Sequence, residues 1–289
     1  MAEADPVSGP GDAGRPVGAA ASNLALRVVS AAVLAPLAVL TAWLGGWAFA
    51  LFWAAAAIAV LWEWTTLVAG RDHRLMFSAC GSAIAVAALM AWRGRPIAAV
   101  SLVGMGALAA LIFAPQQRRL WIVAGIGYAG AMLLAPVVLR GDDADGFIAM
   151  VLLFAVVWTT DVLGYFAGRA FGGPKLWPAI SPRKTWSGAI AGTLGAMLAA
   201  VAVAEISGAS RPPAFAGIAL LLSVVAQCGD LFESFVKRRF GAKDASQLIP
   251  GHGGVMDRLD GFWAAAVIAC LIGLLRGGFD APARGLLVW

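Results

Sequence analysis

Charged residues are scarce in this sequence, and that scarcity limits the class of protein it encodes. Asp, Glu, Lys and Arg make up 13% of the 289 residues, whereas 61% are hydrophobic and the mean hydropathy is +0.84. A soluble domain carries roughly a quarter charged residues, so a water-soluble globular fold is excluded. A lipid bilayer accommodates this much apolar surface in spanning helices. We therefore predict an all-α, polytopic integral-membrane helical bundle.

Cysteines and runs of basic residues are scarce as well. The three cysteines lie in apolar stretches without CxxC spacing, so neither a disulfide framework nor a zinc site is indicated, and we expect free thiols. The net charge of +5 is not accompanied by a basic run with interleaved aromatic residues, so we expect no nucleic-acid partner. Basic residues that flank membrane spans usually set orientation or contact anionic lipid.

Long apolar runs make up most of the sequence. Runs bounded by charge, Gly or Pro predict about nine membrane-spanning helices. The uncharged run from Val28 to Trp62 would reach about 52 Å as one helix, which is too long for a single crossing. We therefore place a turn at Gly45-Gly46. The nine predicted spans cover residues 25–44, 46–68, 75–92, 96–114, 119–139, 147–168, 188–206, 212–236 and 261–278.

Composition divides the chain into three parts. Residues 1–23 are rich in Gly, Ala and Pro and are expected to form a disordered tail, residues 24–140 to form N-terminal transmembrane helices, and residues 141–289 to form the transmembrane region that carries the chemistry. That region contains the two most polar loops, 169–187 and 237–260.

The distribution of Lys and Arg predicts the orientation of the chain. With the N-terminus inside, fifteen of the 21 Lys and Arg residues fall on the inner side and six on the outer side. Two crossings separate the two polar loops, so both are expected on the same, cytoplasmic face.

Few ionisable residues lie inside the predicted spans, and those few are candidates for function. Asp161 lies in the sixth span. The eighth ends in Asp230, Glu233, Ser234 and Lys237, and their spacing of i, i+3, i+4 and i+7 places them on one helix face. Such a polar face should line a hydrated, protein-enclosed cavity, because exposing it to lipid is costly.

The two polar loops contain residue types that suit phosphate and metal ions. The first combines glycines, hydroxyl groups and four cationic side chains, which can hold phosphate oxygens. The second ends in Asp257 and Asp260, spaced i, i+3. Clustered carboxylates beside phosphate are a common way to hold Mg²⁺, which prefers oxygen ligands. For His252, a role as catalytic base and one as a hydrogen-bonded loop residue both remain open.

These segments resemble a known family. The run Ser234-x-x-Lys237-Arg238-x-x-x-x-Lys243-Asp244-x-x-x-x-x-Pro250-x-His252-Gly253-Gly254-x-x-Asp257-Arg258-x-Asp260 resembles the signature of the phosphatidate cytidylyltransferase (CDP-diacylglycerol synthase) family along all 27 residues. Asp161, Gly168-Arg169 and Ser181-Pro-x-Lys184-Thr185-Trp186 resemble a second block of that family in order and distance. One departure is Ser187, where many members have Glu.

The resemblance implies an enzyme that joins CTP to phosphatidate, giving CDP-diacylglycerol and pyrophosphate at the cytoplasmic side of a bacterial inner membrane. Positioning and electrostatic stabilisation dominate such transfers, and Mg²⁺ is the expected cofactor. The implied metal ligands are Asp161, Asp230, Asp257 and Asp260. The implied catalytic residues are Asp230, Asp257, Lys237, Lys243 and His252. The implied substrate-binding residues are Ser181, Lys184, Arg169, Ser234, Arg238, Gly253, Gly254 and Arg258. A homodimer is compatible with this hypothesis.

Three other hypotheses remain to be weighed. A CTP-dependent polyprenol or dolichol kinase would transfer the γ-phosphate and release CDP. A CDP-alcohol phosphatidyltransferase is rejected, because Ala265 stands where its motif needs Arg and no second aspartate pair follows within the ninth span. A transporter would use Asp161 and Asp230 as an ion path, but no inverted repeat is evident.

Overall fold

A computed structural model describes residues 17–69, 74–141, 144–249 and 253–289 of the chain. Helices account for most of these residues. The helices are α1 (Val17–Leu44), α2 (Gly46–Ala69), α3 (Arg74–Trp92), α4 (Pro96–Phe113), α5 (Arg119–Arg140), α6 (Ala144–Phe171), α7 (Trp186–Ser207), α8 (Pro212–Arg239), α9 (Met256–Gly277) and α10 (Pro282–Leu287).

The all-α membrane class is confirmed. Within the described ranges, seven helices are long and apolar enough to cross a bilayer, namely α2 and α4 to α9. Two further apolar stretches, Val29–Leu44 of α1 and Met76–Trp92 of α3, are shorter. All nine predicted spans correspond to helices, but a count of nine crossings stays a prediction.

Helix boundaries differ from the predicted spans mainly near the polar loops. The first helix begins at Val17 rather than at residue 25, while residues 1–16 of the predicted tail lie outside the described residues. The last long helix begins at Met256, five residues before the predicted span. Asp257 and Asp260 therefore lie in its first turns, which places them on one helix face.

The predicted loop 169–187 contains a small β-hairpin. Strand β1 (Lys175–Trp177) pairs antiparallel with β2 (Ser181–Thr185), with Lys175 opposite Thr185 and Trp177 opposite Ser181. The hydroxyl of Thr185 then accepts a 3.2 Å hydrogen bond from the amide of Gly188 and caps α7. This cap joins the hairpin directly to the seventh helix.

A glycine seam, Gly188-x-x-x-Gly192-x-x-Gly195 on α7, brings α6 and α7 together. A Cβ atom at Gly188 would lie 2.5 Å from the carbonyl oxygen of Gly164, and one at Gly192 would lie 2.5 Å from that of Thr160. Neither position has room for a side chain. The two backbones can therefore pack in direct contact.

Buried polar side chains fasten α8 to this pair of helices. Ser223 on α8 accepts a 2.8 Å hydrogen bond from the hydroxyl of Thr160 on α6 and lies 3.0 Å from the hydroxyl of Thr193 on α7. One turn later, the amide nitrogen of Gln227 donates to Thr193 at 3.0 Å. These bonds set the rotation of α8 just before its polar residues begin.

On the other side, α8 meets α2, α5 and α9 through aromatic rings. Tyr128 on α5 stacks on Trp263 of α9 with ring centroids 4.2 Å apart, and Trp64 of α2 lies 5.2 Å from Tyr128. Phe232 of α8 lies 6.4 Å from Trp263. The N-terminal helices α2 and α5 thus contact α8 and α9, which carry Asp230 and Asp257.

Candidate active site

The candidate site lies on one side of the bundle, where α6 and α8 end, α9 begins and the β-hairpin is located. Gly229, just before Asp230, explains how closely α8 and α9 approach there. A Cβ atom at Gly229 would lie 2.6 Å from the carbonyl oxygen of Asp260, and one at Gly261 would lie 3.2 Å from that of Ala226. Glycine at these positions allows carboxylates of both helices to face the same space.

The hairpin contributes Lys184, which forms an ion pair with Asp230 of α8. Each side chain is 28% exposed, so the pair lies at the mouth of the site rather than in its interior. Asp230 also accepts a 3.4 Å hydrogen bond from the hydroxyl of Ser234, one turn along α8. A loop cation and a helix carboxylate are thus held together at a surface that a soluble ligand can reach.

Deeper in the site, Lys237 joins two carboxylates. Its ammonium group lies 2.7 Å from Oε2 of Glu233 on the same helix and 2.5 Å from Oδ1 of Asp257 on α9. The Glu233 side chain is fully buried, and that of Asp257 is 6% exposed. Buried carboxylates require such partners, because desolvating an unpaired charge costs several kcal/mol.

The loop between α8 and α9 folds around the second oxygen of Asp257. Oδ2 accepts hydrogen bonds from the amides of Ala245, at 3.0 Å, and Gly254, at 2.8 Å. Gly253 adopts a φ of +86°, which favours glycine, and its carbonyl accepts from the amide of Ile249 at 2.8 Å. The amide of Gly254 is therefore directed at Asp257 in this structure.

Asp161 and Asp260 complete the acidic cluster. Asp260 lies against the turn of α8 that carries Asp230, since its carbonyl oxygen would be 2.6 Å from a Cβ atom at Gly229. Asp161 on α6 is within electrostatic range of both. Lys184 and Arg258 contribute the nearby positive charge felt by Asp161. Oδ1 of Asp260 accepts a 2.7 Å hydrogen bond from the amide of Gly261.

The donor set fits a hard divalent cation in its chemistry. Within the described ranges, no group of three or more Asp, Glu, His or Cys side chains is arranged so that it could bind one metal ion. The cluster nevertheless offers only oxygen donors, and five carboxylates face three cationic side chains there. Neither carboxylate oxygen of Asp257 is without a hydrogen-bond donor.

Several sequence-predicted residues contact other partners or are exposed. Arg169, exposed at the end of α6, donates to the hydroxyl of Tyr165 at 3.2 Å, and Arg238 donates to the carbonyl of Ala242 at 3.2 Å. Lys243 is exposed in the α8–α9 loop, and Ser181 is half-buried in β2. His252 lies outside the described residues. Ser187 stands where many members of the family that the sequence resembles have Glu. Its hydroxyl donates a hydrogen bond to the carbonyl of Gly172.

One carboxylate that the sequence analysis does not single out is Glu63 on α2. It is completely buried and accepts hydrogen bonds from the loop and the first turn of α9. The pattern that could have identified it is simple: a lone carboxylate stands between Trp62 and Trp64 in an otherwise uncharged span.

Comparison with known proteins adds an independent line of evidence. A model of the family described as "Cytidylyltransferase family" matches residues 25–275 of the chain. A phosphatidate cytidylyltransferase of Brucella suis biovar 1 is 44% identical over 263 residues, which cover 90% of this chain and 97% of the relative. One of Rickettsia felis is 32% identical over 209 residues, covering 63% of this chain and 92% of the relative. One of Haemophilus influenzae is 41% identical over 129 residues, covering 43% and 45%.

Proposed function

Because the chain belongs to the cytidylyltransferase family and is a nucleotidyltransferase, we propose that it is a phosphatidate cytidylyltransferase. It would join CTP to phosphatidate and release pyrophosphate, producing CDP-diacylglycerol for phospholipid synthesis. The structural observation that supports this most is the Lys184–Asp230 pair at the mouth of a carboxylate-rich site at the ends of membrane helices. A water-soluble triphosphate and a lipid headgroup can both reach such a place.

The reaction needs no strong general base. A phosphate monoester has its second pKa near 6, so the headgroup of phosphatidate is largely a dianion at neutral pH. One of its oxygens attacks the α-phosphorus of CTP, and the bond from that phosphorus to the oxygen bridging to the β-phosphate breaks. The electron pair leaves with pyrophosphate. The main obstacle is therefore bringing several anions together.

The cationic side chains address that obstacle. Lys184 is held at the site mouth by Asp230 and is partly exposed, so its ammonium group can contact a phosphate oxygen. Arg258 is exposed and near enough for its charge to act on Asp161. We assign Lys184 and Arg258 to phosphate binding, with the exposed Arg238 and Lys243 at the rim.

We propose Mg²⁺ as the cofactor, with Asp161, Asp230 and Asp260 as its ligands. No three such side chains in the described ranges are already arranged around a common point, so these carboxylates would draw together when the ion binds. When bound, it would neutralise negative charge on the triphosphate and on the departing pyrophosphate. Asp257 keeps the α8–α9 loop and Lys237 in place, and Lys237 shields the buried Glu233.

We further propose that the site faces the cytoplasm from a bacterial inner membrane. With the N-terminus inside, the side that carries the hairpin and the α8–α9 loop also carries most of the Lys and Arg residues. CTP is available on that side. The acyl chains of phosphatidate would stay in the bilayer while its phosphate enters the site.

Product analysis tests this function. Purified protein in mixed micelles with phosphatidate, CTP and Mg²⁺ should form CDP-diacylglycerol and pyrophosphate in equal amounts, and EDTA should stop the reaction. Release of CDP with phosphorylation of an added polyprenol would instead identify a lipid kinase. Absence of any CTP-dependent product would refute the assignment.

A further inference from the structure

We infer that Glu63, on the second helix, is a positioning residue of the active site: it caps α9 from a different helix and so fixes where Asp257 and Asp260 stand. The activity part of this inference rests on the proposed function, whereas the structural part does not. No motif of the resembling family that we identified in the sequence includes Glu63, and it lies in the helices whose role the sequence leaves open.

Both carboxylate oxygens of Glu63 accept hydrogen bonds. Its Oε1 accepts a 2.6 Å hydrogen bond from the hydroxyl of Ser246 and a 2.8 Å bond from the amide of Val255. Its Oε2 accepts a 2.7 Å bond from the amide of Met256. Glu63 has no exposed surface, and Val255 lies 192 residues away in sequence. This buried carboxylate therefore holds both the loop and the first residue of α9 to α2.

The start of α9 needs this partner. The first amides of a helix have no acceptor within the helix, and a capping side chain usually supplies one. The N-cap residue of α9 is Val255, which makes no side-chain cap hydrogen bond. Glu63 supplies the missing acceptor, and its negative charge also interacts favourably with the positive end of the helix dipole.

Glycine at position 254 connects this cap to Asp257. A Cβ atom there would lie 2.6 Å from Oε1 of Glu63, so the backbone of Gly254 passes directly against the carboxylate. The amide of the same residue donates to Oδ2 of Asp257 at 2.8 Å. The loop is thus held between two carboxylates, Glu63 on one side and Asp257 on the other. Any shift of the loop at Glu63 is transmitted to Asp257 through a single residue.

The test compares Glu63→Gln with a matched control, Glu205→Gln, which changes an exposed carboxylate on α7. The amide of Gln keeps the shape but places an NH₂ group against one of the backbone N–H donors. Backbone hydrogen exchange is measured in detergent micelles for peptides covering residues 244–259 and for the helices elsewhere. Steady-state kinetics with CTP and phosphatidate are measured on the same preparations.

For Glu63→Gln we expect faster exchange confined to residues 244–259, with other helices unchanged. We expect kcat to fall roughly tenfold or more, with the KM for CTP within about threefold of wild type, because misplacing reacting groups lowers turnover more than binding. Glu205→Gln should match wild type in both measurements. Unchanged exchange in residues 244–259, or an increase spread evenly over all helices, would overturn the inference, as would an unchanged kcat.

Two further variants decide the question if Glu63→Gln does not fold. Ser246→Ala removes one of the three hydrogen bonds and leaves the two backbone donors to Glu63 in place. Gly254→Ala keeps Glu63 but pushes the loop away from it. Both should produce the same local exchange pattern, and its absence in both would overturn the inference. If the wild-type protein forms no CDP-diacylglycerol, the proposed function fails, while the exchange measurements still test the role of Glu63.

Discussion

Lys237 on α8 lies 2.5 Å from Asp257 on α9, and this contact joins the two helices that carry most of the site. The same ammonium group lies 2.7 Å from the fully buried Glu233. One cation therefore compensates two carboxylates that have little or no access to water. Its removal should affect folding as well as chemistry.

The variant Lys237→Ala tests that relationship. It leaves Glu233 and Asp257 without their ammonium partner, and breaking a buried pair in this way typically costs about 3 to 5 kcal/mol. We expect a clearly lower melting temperature in detergent and no measurable turnover. The exposed Arg239 in the same turn is the control, and Arg239→Ala should melt within a degree or two of wild type. Equal melting temperatures for the two variants would contradict this account of Lys237.

The Lys184–Asp230 pair should behave differently, because both side chains are 28% exposed. Exposed ion pairs contribute about 0 to 1 kcal/mol, so Lys184→Ala should hardly change the melting temperature. Loss of a preorganised positive charge at the phosphates should still lower kcat/KM about 100-fold. Arg183→Ala, which changes the adjacent exposed residue of the same strand, serves as control. Activity lost equally in both variants would argue for a general effect of the hairpin's charge.

The seam between α6 and α7 gives a prediction about packing alone. At Gly192 an added methyl group would lie 2.5 Å from the carbonyl of Thr160, so Gly192→Ala should force the helices apart and cost about 1 to 3 kcal/mol. A Cβ atom at Gly217 on α8 would have no other heavy atom within 4 Å, so Gly217→Ala should be tolerated. Thermal unfolding in detergent compares them. A stable Gly192→Ala protein would show that the seam can be relaxed.

Much of this fold could be predicted from the sequence because the bilayer imposes simple rules. Apolar runs of sufficient length located the long helices, and the spacing of Asp230, Glu233, Ser234 and Lys237 identified their common face. Counting crossings predicts that the two polar loops share one side, and Lys184 of the first loop contacts Asp230, seven residues before the second. These inferences use local periodicity and length, which a single sequence contains.

The partners within the site could not be predicted in the same way. Nothing in the spacing indicates that Lys237 contacts Asp257 or that Lys184 contacts Asp230, because these pairs depend on how separate elements pack. The hairpin at 175–185 was expected only as a loop, since its strands are very short. Glu63 was missed because its partners Val255 and Met256 are 192 and 193 residues away and contact it through backbone amides, which every sequence contains.

The central claim is that the site built around Asp230 transfers the cytidylyl group to lipid. It is tested most directly by following CTP labelled at its α-phosphate in wild type and in Asp230→Asn, with Arg239→Ala as the folded control. Wild type and control should move the label into a lipid product that depends on phosphatidate, and Asp230→Asn should keep the wild-type melting temperature with less than about 1% of the rate. Label transfer by Asp230→Asn at the wild-type rate would contradict the claim.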